Sequence, residues 1–391
     1  NEIIKKNKYR PDKNLLTNKE VGEKIGLYEA LEENDEAEFV ATKILEIIDS
    51  GVSSNFSSAH PSRNTEWDPT DKKIGRSSAN ILSEVAVLYR ANFQSRALEE
   101  AMLRYNIPYQ VLGVKFFERK EIKDTLAYLR AALNPDSLSD IKRIINFPAR
   151  GIGKVTLAKI FANDMENLPI KVKIKINNFY KILEDIKEKI TASKTSDVIK
   201  FVVKKSGIEA ELSSGTEEDI ERLENIKELA TLALKYDNLE NSKGVEKLLE
   251  DASLASDQDS LMINTPHPNP ACQLAGRPLL AKERGNNTVK LMTVHASKGL
   301  EFKYVFVTGL EDGLFPHERH DQAESFDSEE ERRLFYVAVT RAKEKLFLSF
   351  ADYRTIFGSR QINAPSEFIA DIPADLLEKE REKGLLKTIY I

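Results

Sequence analysis

The chain has 391 residues, 41% hydrophobic and 31% charged, which is the composition of a soluble globular protein and longer than one hydrophobic core usually organises. No apolar run approaches the ~20 residues that cross a bilayer, and the first ten residues lack the apolar stretch of a signal peptide. The single cysteine, Cys272, excludes an internal disulfide framework. A cytoplasmic protein of two domains, with no membrane partner, is therefore expected.

The net charge of -5 excludes a molecule that is basic overall, so any contact with nucleic acid has to be local. Taken alone, composition favours a protein or small-molecule partner.

In chain order, Ile25 to Ala30 reads as a strand. Asn34 to Ser50 reads as an amphipathic helix, with Phe39, Val40, Ile44, Ile47 and Ile48 at helical spacing and Gly51 as its stop. Val85 to Tyr89 is a compact apolar strand. A helix over Gln94 to Tyr105, a strand over Tyr109 to Gly113 and a helix over Glu118 to Leu133 follow. Strands alternating with helices predict a parallel α/β sheet.

From Asp136 to about Asp257 the pattern is helical over Ile182 to Ile190, Val198 to Val203, Glu217 to Tyr236 and Val245 to Leu249. A short alternation at Val172 to Ile176 is its one strand-like stretch. Strands then return at Thr288 to Val294, Tyr304 to Leu310 and Lys345 to Ala351, with a helix over Glu329 to Lys343. The expected architecture is an α/β domain made from both ends of the chain and interrupted by an inserted all-α domain. Segments 52–80, which hold Trp67, and 256–287, which hold four prolines and Cys272, read as irregular insertions.

Ligands of open α/β sheets bind beyond the carboxyl ends of the strands. Tyr89 and Arg90 close one strand; His295, Ser297, Lys298, Gly299 and Glu301 follow another. Each alone reads as a loop residue in a surface ion pair, but their joint placement points to a site. On the predicted helix from Glu329, Ser328 and Glu331 form a capping box. Arg341 continues the apolar stripe of Leu334 and Val337, away from the charged face with Glu329 and Arg332. An arginine there requires an anion, either a buried carboxylate or a phosphate at a domain interface.

These residues fall in runs that resemble superfamily 1 DNA helicases of the UvrD/PcrA/Rep type. Val87-Leu88-Tyr89-Arg90 resembles motif IV, Thr293 to Phe302 resembles motif V, and Tyr336 to Ala342 resembles motif VI. Phe117, Arg119 to Asp124 and Phe315-Pro316-His317 are also similar to family sequence. The resemblance implies a RecA-like parallel-sheet domain, the second motor domain of a P-loop NTPase-like helicase, with the inserted helical domain over 126–255. The sheet domain would comprise 1–125 and 288–372, with a tail at 373–391.

It also implies ATP with Mg²⁺ as cofactor, shared with an upstream RecA-like domain. Tyr89 would stack on adenine, Arg90 and Arg341 would reach the γ-phosphate as arginine fingers, and Glu301 would contact the ribose. Thr293, His295 and Lys298 would touch single-stranded DNA.

Arg150, Gly151, Ile152, Gly153, Lys154 and Thr156 form a second signal. Two glycines around an apolar residue let backbone N–H groups face a phosphate, as in the hairpin with which the family's inserted domain grips duplex DNA. An ordinary glycine turn is the equal alternative. Gly153-Lys154 is not a P-loop, because position 155 is Val and position 148 is Pro. With no other P-loop in the sequence, the isolated chain is expected not to hydrolyse ATP. His317-Glu318-Arg319-His320-Asp321 reads as a solvated charged loop rather than a metal site.

The implied partners are single-stranded DNA, single/double-strand junctions, the upstream domain, and repair or replication proteins. The alternatives are a non-catalytic DNA- or partner-binding module and, behind it, a helicase–nuclease subunit of the RecB or AddA type.

Overall fold

The structure is a computed structural model and describes residues 3–7, 22–57, 81–162, 168–240, 242–262, 287–317 and 328–380. It divides into two compact units. One comprises Asn1–Gly113, Pro266–Arg354 and Gln361–Ile391, and the other Val114–Thr265 with Thr355–Arg360.

The first unit is built on a parallel sheet. The strands of the sheet are β1 (Ile25–Glu32), β2 (Val85–Tyr89), β3 (Tyr109–Val111), β4 (Val289–Thr293), β5 (Phe302–Val307), β6 (Ala342–Ile356), β7 (Ser359–Ile362) and β8 (Leu377–Lys379), the last two residues of β6 and the first two of β7 being assigned to the second unit. They run in the order β3-β4-β2-β5-β6-β1-β8, with β7 paired to β6. All pairings along that path are parallel.

Every residue of β2 is buried, as expected for a central strand covered on both faces. Val85, Val87 and Tyr89 pack into one core with Val40 and Ile44 of helix α1 (Glu33–Ser57) and Leu98 and Met102 of α2 (Ser95–Arg104). Ala86 and Leu88 point to the opposite core. Helix α1 does not stop at Gly51 but runs on to Ser57. A glycine inside a helix costs about 1 kcal/mol relative to alanine, too little by itself to end one.

A buried ionic cluster holds the carboxyl-end side of this sheet. Arg354 on β6 is 5% exposed, and Glu36 and Glu311 are 3% and 0% exposed. The Arg354 guanidinium donates to Glu36 Oε2 at 2.7 Å and from Nε to Glu311 Oε2 at 2.8 Å. Gly309 N and Ser349 Oγ donate to Glu36, while Ala351 N and Asn363 Nδ2 donate to Glu311. Burial opposes the charge of Glu311, but Arg354 and these donors outweigh it and hold its carboxyl below the usual range.

The second unit is helical. It contains α3 (Lys120–Leu133), α4 (Leu138–Ile144), α5 (Lys154–Phe161), α6 (Ile170–Ala192), α7 (Thr195–Ser206), α8 (Ile208–Ser213), α9 (Glu217–Ala233) and α10 (Lys243–Met262). Its core includes Ile122, Leu126 and Leu129 of α3 with Phe179, Ile186, Ile199, Ile226 and Leu229. The unit therefore begins at Val114 rather than near 126, because α3 buries its apolar face here.

Val172 to Ile176 is not a strand but the start of α6. Val172 and Ile176 lie four residues apart on the packed face, while Ile170 and Ile174 fall on the outer face, 76% and 53% exposed. Helix α10 extends through Met262, where an irregular segment was expected from 256. Trp67, Cys272, most of both predicted insertions, residues 318–321 and the tail beyond Glu380 lie outside the described residues.

Returning to the first unit, α11 (Ser328–Val339) and α12 (Glu367–Ala370) complete it. Leu334, Phe335 and Ala338 of α11 pack with Phe315 and Phe368 against the β2 face that carries Leu88. Arg332, expected on a charged face, is 8% exposed; it pairs with Glu367 and Asp371, with its guanidinium 5.0 Å from the centre of the Phe368 ring.

Candidate functional site

Strand register separates the predicted residues into two groups at opposite ends of the sheet. Tyr89 pairs with Thr293, and Leu88 with Val307, so β2, β4 and β5 finish at one level. Tyr89, Arg90, Thr293 and His295 lie at that carboxyl end. Phe302 opens β5 opposite Ala342, the first residue of β6. Glu301 and Arg341 therefore lie at the amino end. The strand rise of ~3.3 Å per residue puts the two ends roughly 20 Å apart.

That separation corrects one expectation. Arg90 and Arg341 do not converge on a single phosphate within this unit. The Arg90 guanidinium is instead engaged by Glu331, with Nε to Oε2 at 3.0 Å and Nη2 to Oε1 at 2.7 Å. Both side chains are largely buried, at 13% and 11% exposure. Glu331 Oε2 also accepts from His317 N at 3.1 Å. Tyr89 is 1% exposed, its ring within the core, and in this conformation it presents no face for a base.

Arg341 is placed differently from its expected position as well. Helix α11 ends at Val339, so Arg341 sits in the turn entering β6 rather than on a helical stripe. Nε donates to Val337 O at 3.0 Å, Nη1 to Leu300 O at 2.8 Å and Nη2 to Thr340 Oγ1 at 2.9 Å. All three acceptors are neutral. Among the described residues Arg341 has no carboxylate partner, so its charge stays uncompensated while its direction is fixed. Glu301, at the same end, is exposed and lies 3.5 Å from Lys343 Nζ.

From the carboxyl end of β4, a segment carries the chain to the amino end of β5. Thr293 Oγ1 accepts from Ala296 N at 3.3 Å and shapes the short 3₁₀ turn His295–Ser297. Ser297, fully buried, donates to Val294 O at 2.7 Å and anchors the turn. His295 and Lys298 remain exposed. Gly299 then takes φ +85°, the left-handed region that favours glycine.

In the helical unit the glycine turn is anchored from within. Asn146 Oδ1 accepts from Arg150 N at 2.9 Å and Ile152 N at 3.1 Å, and Ile152 is 4% exposed. Gly151, at φ +69°, and Gly153 face outward. Thr156 is partly exposed, and the Lys154 side chain lies outside the described residues.

Arg150 is not the outward cation expected of a DNA contact. Its terminal nitrogens donate to Ile144 O, Ile145 O, Pro148 O, Tyr128 Oη and Ser206 O, over the Phe179 ring. Burial raises the Tyr128 hydroxyl to about 12, which keeps it a donor to Phe147 O. Among the described residues, Lys175, which is exposed, brings its ammonium to 3.1 Å from where a Cβ on Gly151 would sit. Sequence spacing could not reveal it, because α6 approaches the turn only in the fold.

No described helix is long and apolar enough to cross a membrane. The model of the UvrD-like helicase C-terminal domain matches residues 1–353. The chain is similar to the ATP-dependent DNA helicase PcrA of Bacillus subtilis, 34% identical over 402 residues covering 98% of this chain and 48% of the relative. It is 36% identical to the PcrA of Staphylococcus epidermidis, over 100% of this chain and 49% of the relative. The PcrA of Staphylococcus aureus is 35% identical over the same shares. The chain spans about half the length of the curated relatives it matches.

Proposed function

The chain belongs to the family of UvrD-like helicase C-terminal domains, and from that membership we propose that it is the C-terminal part of an ATP-dependent 3′-to-5′ DNA helicase. The observation that carries the reading is the guanidinium of Arg341, held by three neutral acceptors and, among the described residues, by no carboxylate. A fixed, uncompensated, planar cation is the group that stabilises charge spreading over a phosphoryl oxygen set.

ATP with Mg²⁺ would lie against the amino end of the sheet, with Glu301 at the ribose and Arg341 at the γ-phosphate. The bound nucleotide supplies the phosphoryl group to be transferred to water. The loop that grips its phosphates would come from outside these 391 residues, so the chain alone hydrolyses essentially no ATP. Adenine stacking by Tyr89 would require its ring to leave the core.

Thr293, His295 and Lys298 would take the single strand, while Gly151 to Thr156 would take the duplex backbone through main-chain N–H groups. Junctions of single- and double-stranded DNA are then the natural substrate. Repair or replication proteins would be the partners, and the cytoplasm the location.

An antibody raised against this chain tests the reading in its source cells. A band heavier than 44.3 kDa by roughly one or two domains supports it, and one at that mass favours a non-catalytic DNA- or partner-binding module. In the heavier protein, Arg341→Gln is expected to lower DNA-stimulated ATP hydrolysis by about 10³-fold or more. Hydrolysis within a few-fold of the parent would overturn the role of Arg341.

A further inference from the structure

Three of the five N–H donors of Arg341 are committed to Val337 O, Leu300 O and Thr340 Oγ1. Among the described residues one N–H is left on each terminal nitrogen, the number that a two-point phosphate contact takes. Two of the acceptors are main-chain carbonyls, so among the described residues Thr340 is the one side chain in the cradle.

The polarity of that contact is fixed. The Thr340 hydroxyl has a single proton and gives it to Val337 O at 2.8 Å. Toward Arg341 its oxygen can therefore only accept, as it does from Nη2 at 2.9 Å. Val337 O in turn receives both Thr340 Oγ1 and Arg341 Nε, closing a small ring of hydrogen bonds at the end of α11. Removing the hydroxyl leaves Nε and Nη1 held but frees Nη2, and the guanidinium plane gains rotational freedom that a phosphate would have to remove.

We propose that Thr340 is a positioning residue for Arg341, orienting the guanidinium so that its two remaining N–H groups face a bound phosphoryl group. The proposal rests on the reading that Arg341 binds phosphate, and it adds that the orientation is set by a hydroxyl of the same turn.

The test uses the chain itself, labelled on arginine nitrogen, with inorganic tripolyphosphate as the probe. The Arg341 Nε–H signal is followed through a titration. Thr340→Val, which keeps the shape and loses the hydroxyl, is expected to weaken binding roughly fivefold. Thr340→Ser is expected to stay within about twofold of the parent, because the acceptor returns. A merely structural role would shift the thermal midpoint of both variants without separating their affinities.

Parental affinity in Thr340→Val, or an equal loss in Thr340→Ser, overturns the positioning role while leaving the phosphate reading intact. That reading is tested by Arg341→Gln in a uniformly nitrogen-labelled chain, titrated with the same tripolyphosphate and followed through the backbone amide shifts of Leu300 and Thr340. Undiminished binding there, or no response of the parental chain to tripolyphosphate, overturns both.

Discussion

Arg341 Nη1 donates to the carbonyl of Leu300 at 2.8 Å and so ties the turn entering β6 to the segment entering β5. Gly299 precedes that carbonyl at φ +85°, and an added Cβ would meet nothing within 4 Å. The obstacle to a side chain there is conformational rather than steric. Gly299→Ala is expected to destabilise the sheet unit by about 1 kcal/mol, read as a shifted urea midpoint with an unchanged slope. An unshifted midpoint would show that the left-handed backbone is not required.

Arg150 and Lys175 should separate stability from binding. Arg150→Met strands a group of buried carbonyls and the Tyr128 hydroxyl, and is expected to cost the helical unit about 3 kcal/mol or more. Lys175→Glu reverses an exposed charge beside Gly151 and should leave the thermal midpoint in place. It is expected to weaken binding of a short DNA duplex roughly tenfold at low salt, with a shallower salt dependence. Fluorescence anisotropy across a salt series reads both quantities. Duplex affinity that ignores Lys175→Glu would remove this turn from the DNA contact.

Acid should act on the sheet unit through Glu311. Its carboxyl lies below the ordinary value of 4.5, so the folded state binds its proton less readily than the unfolded chain. The resulting stability is present above pH 4.5 and fades as pH falls through the lower, folded-state value. Arg354→Met reverses the sign. Glu36 and Glu311 are then left buried without their cation, at a cost of about 3–5 kcal/mol near neutrality. In that variant acid relieves the cost by protonating Glu311. Urea unfolding from pH 3.5 to 7 should show opposite slopes for parent and variant; parallel slopes would contradict the assignment.

Tyr89 distinguishes a core residue from a surface platform. At 1% exposure, Tyr89→Ala is expected to cost about 3–5 kcal/mol by urea unfolding. A loss under 0.5 kcal/mol would mean that the ring spends its time outside the core.

The alternation of strand and helix, and the helical insertion, were legible because fully buried strands such as Val85–Tyr89 read as unbroken apolar runs. Boundaries were less so. Nothing local distinguishes Thr340 to Lys343 from a fourth helical turn, since Arg, Ala and Lys all favour helix; the pairing of Ala342 with Phe302 ends it. Gly51 looked like a stop because glycine is a poor helix former, yet α1 passes through it to Ser57.

The same limit explains the site. Arg90 and Glu331 are 241 residues apart, so their pairing could not be read from spacing. The separation of Arg90 from Arg341 requires strand register, which depends on pairings between distant segments. Arg150 sits beside two exposed glycines in sequence, yet its guanidinium turns back toward carbonyls of Ile144 to Pro148 and Ser206.

The neighbours of β2 have a consequence for biosynthesis. Both of its partners, β4 and β5, are encoded after the helical unit, beginning at Val289. On the ribosome the apolar run from Val85 to Tyr89 therefore emerges some two hundred residues before either partner, at a translation rate of about 5–20 residues per second. The helical unit, whose contacts lie mostly within one contiguous segment, can complete its core during that interval. For those tens of seconds the strand has two open edges, which makes the nascent chain, rather than the finished protein, the form most in need of a chaperone.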